Sequence, residues 1–117
     1  MPPDSLQQLY ARLRHFAAVR DWEQYHTPKN LVMALAGEAG ELLEHFQWLT
    51  PEQSLNLSEK TRDEVALEMA DILIYLIRCA DRLNIDLVAA ANRKIEINEG
   101  RFPPGRCGGG SGHGNPE

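Results

Sequence analysis

The stretch from Glu64 to Arg82 constrains this chain more than any other. Val65, Ala66, Leu67, Met69, Ile72, Leu73, Ile74, Leu76 and Ile77 cover most of the circumference of a helix, and such a helix is expected to be buried on nearly all sides. Projected at about 100° per residue, the remaining narrow arc holds Glu64, Glu68, Asp71, Tyr75, Arg78 and Arg82. The longest apolar run, Ile72 to Ile77, is far too short to span a bilayer. A core helix edged with acids is therefore the element around which the rest must be arranged.

The flanking sequence supplies helical partners. Ser5 with Gln8 reads as a capping box before Leu6, Leu9, Tyr10, Leu13, Phe16 and Ala17, which predicts a first helix to about Val19. Arg20 to His26 is polar and aromatic without a period. Thr27 and Pro28 start a second helix, from about Pro28 to Leu49, ended by Thr50-Pro51. Residues 51 to 57 read as a loop or a short turn of helix. Ser58 caps a third helix to about Leu83, Asn84 breaks it, and Asp86 caps a fourth from Leu87 that Gly100 and Pro103-Pro104 close. No segment alternates with period two. The fold class is all-α: one domain over residues 1–104, followed by a glycine-rich tail over 105–117 that is expected to be disordered. Three short neighbours cannot cover a helix that is apolar on most of its surface, so a dimer or a dimer of dimers is expected.

The second helix has acids of its own. Glu38 and Glu41 stand at i and i+3, with Glu38 beside the stripe of Leu31, Leu35 and Leu42. Gly37 and Gly40 surround Glu38, and glycine inside a helix costs roughly 1 kcal/mol against alanine, which points to close approach of a backbone or a ligand. Two carboxylates from each of two packed helices cannot stay ionised beside an apolar core without cations. Oxygen-only ligation suits Mg²⁺, Mn²⁺ or Ca²⁺. Mg²⁺ completes its shell with water and substrate phosphates, so the cluster reads as a phosphate-processing site. Against this stands the ordinary case, in which either acidic pair alone is a solvated helix face.

Charge and cysteines narrow the class. Twelve Lys plus Arg against 17 Asp plus Glu give a formal charge of -5, which repels a polynucleotide backbone. Two cysteines, Cys79 in an apolar run and Cys107 in the tail, do not form a disulfide framework. The chain starts without a basic stretch followed by an apolar core, so no membrane and a cytoplasmic setting are expected.

Gly37-Glu38-Ala39-Gly40-Glu41 followed by Glu68-Met69-Ala70-Asp71 resembles the E-x-x-E and E-x-x-D signature of the MazG-like all-α NTP pyrophosphatases, and within them the dCTP pyrophosphatase group. Arg20 to His26, Pro28 to Leu31, Phe46-Gln47-Trp48 and Lys94 to Pro103 carry the resemblance along residues 6 to 103. It implies a four-helix-bundle subunit assembling through dimers, a homodimer or homotetramer. It also implies Mg²⁺, with Mn²⁺ as a substitute, on Glu38, Glu41, Glu68 and Asp71. The implied reaction is hydrolysis of a nucleoside triphosphate between its α- and β-phosphates, with water as the nucleophile. By the same resemblance Lys94, Asn98 and Arg101 touch phosphate or sugar, and Trp22 and Trp48 wall the base. Leu13 stands where relatives carry a pocket histidine, and Phe102 where they often carry tyrosine, which bears on base preference. Trp22 and Trp48 have a plainer reading as apolar area at a subunit contact. A di-iron carboxylate bundle is excluded for want of Glu-x-x-His on two helices. The non-enzymatic alternative is a helical dimerisation or nucleotide-binding module with solvated acids.

Overall fold

The computed structural model describes residues 5–105. These form α1 (Leu6–Val19), a 3-10 turn (Glu23–Tyr25), α2 (Pro28–Glu44), α3 (Pro51–Ser54), α4 (Glu59–Arg82) and α5 (Leu87–Arg101), with no strand among them. Apart from Gly105, the tail expected to be disordered lies outside the described residues.

Helix starts follow from side chains that accept the first free amides. Ser5 accepts from the amide of Gln8 and Thr27 from that of Asn30, both at 3.2 Å. Ser58 accepts from Thr61 at 3.2 Å and Asp86 from Ala89 at 3.1 Å. Each bond satisfies a donor that the helix itself leaves without a carbonyl. Thr50 and Gln53 close a reciprocal capping box that makes α3 a true turn of helix.

The second helix ends earlier than its apolar period suggests. It stops at Glu44 rather than Leu49, because Thr50 must be extended, with ψ at 163°, both to cap α3 and to precede Pro51. Residues 45–49 make that transition as turns, in which the amide of Phe46 bonds Leu43 and that of Leu49 bonds Phe46.

The chain divides into two compact units after Asn84, whose φ of 57° ends α4 in a conformation that asparagine tolerates. In the first unit α4 packs against α2 and α1. Its core is Tyr10, Ala17, Leu31, Val65, Ile77, Cys79 and Ala80. The second unit carries α5, in which no residue is buried. Among the described residues no helix is long and apolar enough to cross a membrane.

Burial of α4 on nearly all sides is not what one chain achieves. Leu67 is 70% exposed and Met69 52%, and Leu73, Ile74 and Leu76 are exposed as well. Ile77 to Ala80 are buried all round the helix, whereas the turns before them leave these large side chains bare, so the apolar circumference of α4 exceeds what a single copy buries. Arg78, placed by helical projection on the acidic stripe, is instead 2% exposed.

Candidate metal centre

Packing of α2 on α4 brings three of the four expected acids together. One carboxylate oxygen each from Glu38, Glu41 and Glu68 lies within 4.8 Å of the other two. The i, i+3 spacing sets Glu38 and Glu41 on one surface of α2, and Glu68 meets them from α4. Oε1 of Glu38 and Oε1 of Glu68 are buried without a hydrogen-bond partner. Asp71, a turn beyond Glu68, does not join the three at that spacing, but its charge bears on both Glu38 and Glu41.

The electrostatics record this crowding. The Glu38 carboxyl is pushed up to about 7, first by removal from water, then by a hydrogen bond with Glu68, then by the charges of Glu41, Asp71 and Glu68. Glu41 is raised as well, mainly by the charge of Glu68. Carboxylates this close favour sharing a proton or taking a cation. The donor set is oxygen only, which suits hard divalent ions and not zinc or copper. Two buried carboxylate oxygens without a donor from the protein, aimed into one acidic cluster, are a donor set that such an ion fits.

Gly37 and Gly40 turn out to be uncrowded: a Cβ added at either meets no atom of this chain within 4 Å. The close approach that mid-helix glycines suggest is therefore not made by another part of the described chain.

Beside the acids opens a cavity of about 430 Å³ between α1, the Trp22–His26 segment and α4. Leu13, Phe16 and Ile74 give it apolar walls, while Asp71, Tyr75 and His26 give it polar edges. Its volume is that of an ordinary small-molecule site. Trp22 lines it, packed edge-on against Phe16 with ring centroids 5.7 Å apart. Trp48 does not line it and is 85% exposed in the turns after α2. Lys94, Asn98 and Arg101 belong to α5 in the second unit. Lys94 and Asn98 share a helix face, Asn98 Oδ1 is buried without a partner, and the Arg101 guanidinium lies 5.2 Å from the centroid of the Phe102 ring.

One group that sequence reasoning missed is Arg78. It donates from Nη2 to Glu23 Oε1 at 2.9 Å, from Nη1 to Asp81 Oδ2 at 3.2 Å and from Nε to His26 Nδ1 at 3.3 Å. Arg14 extends the network through a two-pronged bond to Asp81 at 2.8 and 3.0 Å. The signal was present: an arginine in an apolar helix demands an acidic partner, and Glu23 and His26 flank an otherwise aperiodic segment.

The model of the MazG-like family matches residues 34–104, a span that contains all four acids. The chain is 43% identical over 104 residues to human dCTP pyrophosphatase 1, across 87% of its own length. This chain belongs to the MazG-like family. The bovine dCTP pyrophosphatase 1 is 44% identical over 102 residues. This MazG-like chain spans 61% of the human relative's length and 59% of the bovine one's. A solved pyrophosphatase from Archaeoglobus fulgidus superposes with a TM-score of 0.79 at 38% identity, covering 88% of this chain and 96% of that one.

Proposed function

We propose that this MazG-like chain is a nucleoside triphosphate pyrophosphatase, with dCTP or a C5-modified dCTP as substrate and the nucleoside monophosphate and pyrophosphate as products. The observation that carries this reading is the trio Glu38, Glu41 and Glu68, converging to 4.8 Å with two buried oxygens unpartnered. The names of the relatives and of the archaeal pyrophosphatase support it.

In this reading Glu38, Glu41, Glu68 and Asp71 hold Mg²⁺, or Mn²⁺ in its place. The bound ion supplies Lewis-acid stabilisation of phosphate oxygens and a more acidic water. The chain's own residues do the rest. One of the four carboxylates accepts the proton of the attacking water, and the acids titrate as a coupled group. Lys94 offsets the charge of the departing pyrophosphate, Asn98 and Arg101 bind phosphate or sugar, and Trp22 and Trp48 wall the base. Asp71, touching both the acids' field and the cavity, places the phosphates next to the base. The working form is a homodimer or homotetramer in the cytoplasm, which covers the exposed apolar flank of α4.

The test is a panel of the common ribo- and deoxynucleoside triphosphates plus 5-methyl-dCTP, with and without Mg²⁺, scored for pyrophosphate and monophosphate. Cytidine triphosphates should be hydrolysed best. Preference for a purine discards the cytidine reading, and release of orthophosphate discards cleavage between the α- and β-phosphates.

A further inference from the structure

The reading above leaves the buried cation Arg78 without a part. A buried guanidinium is costly unless its nitrogens find acceptors, and here Nη1, Nη2 and Nε each do. The bond from Nε to His26 Nδ1, at 3.3 Å, has a chemical consequence. A guanidinium only donates, so Nδ1 must present its lone pair, and a neutral imidazole then carries its proton on Nε2. Burial first, and then the charge of Arg78, hold His26 below its ordinary value against the opposing pull of Glu23. The ring is thereby left one free polar function, an N–H donor.

His26 lines the cavity beside Trp22, 6.0 Å away between ring centroids. Trp22 can hold a base by stacking but cannot identify it, since every base has a π-face. Leu13 and Phe16 offer no polar atom. Tyr75 can rotate its hydroxyl to donate or accept, and the exposed Arg12 shares its protons with water. His26 is the cavity-lining group whose donor character is fixed by its own buried partner.

We infer that His26, locked by Arg78 as the Nε2–H tautomer, is a specificity-determining residue that donates to N3 of a cytosine base and rejects bases that carry a proton there. Arg78 acts through it as a positioning residue. The inference rests on the nucleotide reading proposed above. Cytosine offers a lone pair at N3, whereas uracil and thymine present N–H. Two donors face to face between apolar walls leave both unpaired, a loss of about ten- to a hundredfold in affinity.

The experiment uses the full chain in two assays: metal-free binding of dCMP and dUMP, followed by quenching of tryptophan fluorescence, and hydrolysis of dCTP and dUTP with Mg²⁺. The wild type should favour the cytosine compound in both. His26→Gln, whose amide can turn to donate or accept, should reduce that preference about tenfold or more through binding and KM, with kcat for dCTP changed less than about threefold. Arg78→Met frees the imidazole to take either tautomer and should reduce the preference in the same way. If circular dichroism shows that variant unfolded, His26→Gln decides alone. A merely structural role would weaken both ligands equally and leave their ratio unmoved, which overturns the inference, as does a wild type without preference for cytosine over uracil. Cleavage of triphosphates with an unmoved ratio leaves the proposed function standing and removes this one. Selective dCMP binding lost in His26→Gln, with no triphosphate cleaved, does the reverse.

Discussion

Arg78 on α4 and Glu23 in the turn after α1 form an ion pair of 2.9 Å across 55 residues of sequence, with the arginine side chain only 3% exposed. The pair fastens the segment that carries Trp22 and His26 to the helix that carries Glu68 and Asp71. Cavity and acids are thus placed by the same contact.

Removing Arg78 leaves Glu23 with Arg82 at 3.3 Å and Asp81 with Arg14 at 2.8 Å, so the cost is that of a buried site left short of a donor, about 1 to 3 kcal/mol. Arg78→Ala should therefore lower the free energy of unfolding in urea by an amount in that range. The Arg14–Asp81 pair, with Arg14 57% exposed and screened by water, should cost clearly less on Arg14→Ala. Equal losses in the two variants would show that burial does not set the difference.

Asp81 gives a prediction on the acid side. The Arg14 hydrogen bond holds its carboxyl below the ordinary 3.8, helped by the charges of Arg14 and Arg78 against the opposing effect of burial. A depressed folded value means that the unfolded chain binds the proton more readily, so the contribution is complete above the ordinary value and lost as pH falls through the folded one. Asp81→Asn should weaken the protein near neutrality and flatten the fall in stability below about pH 4. Parallel urea titrations of the two proteins over that range decide it; identical slopes would remove Asp81 from the acid transition.

Glu38 works with the opposite sign. Its folded value of about 7 lies above the ordinary 4.5, so the folded chain keeps a proton that the unfolded chain releases. Metal-free protein should therefore lose stability as pH rises between those two values. A divalent cation should compete with that proton and reverse the loss above neutrality. Melting temperatures recorded with chelator and with Mg²⁺ across the window should diverge as pH rises, and Glu38→Gln should abolish the divergence. Curves that stay parallel in wild type would deny the site its cation.

How much of this could be read beforehand varies with sequence distance. Ser5, Thr27, Ser58 and Asp86 announced helix starts because a cap is settled by residues three apart. Glu38 with Glu41, and Glu68 with Asp71, announced two acidic faces for the same reason, although the sequence did not say that Asp71 would stand off from the other three. Phe46 and Leu49 continue the apolar period of α2, yet the demand of Thr50-Pro51 for extended backbone overrides it. Arg78 looked like a member of the exposed stripe because helical projection knows nothing of Glu23 and His26, which only the tertiary fold delivers.

Glu41→Ala and Asp71→Ala separate catalysis from folding. Each removes a proposed ligand while relieving repulsion among carboxylates, so stability should hold or rise as Mg²⁺-dependent turnover falls by about a hundredfold or more. Pyrophosphate release at saturating Mg²⁺, with circular dichroism on the same samples, measures both. Full turnover in both variants refutes the metal assignment.

The last prediction concerns the flank of α4 that the chain leaves bare. Met69, Leu73 and Leu76 lie within a narrow arc of α4 and are all exposed, and exposed apolar surface of this kind marks a contact. A second copy is the natural occupant, since like apolar flanks can pair about a two-fold axis without any further partner. Sedimentation equilibrium at micromolar concentration should show a dimer or tetramer and no stable monomer. Met69 on this flank is 52% exposed, so Met69→Glu should shift the assembly toward smaller species with little loss of packing inside the chain. A wild type that sediments as a folded, active monomer would remove the contact, and an unchanged assembly in Met69→Glu would move it to a different face.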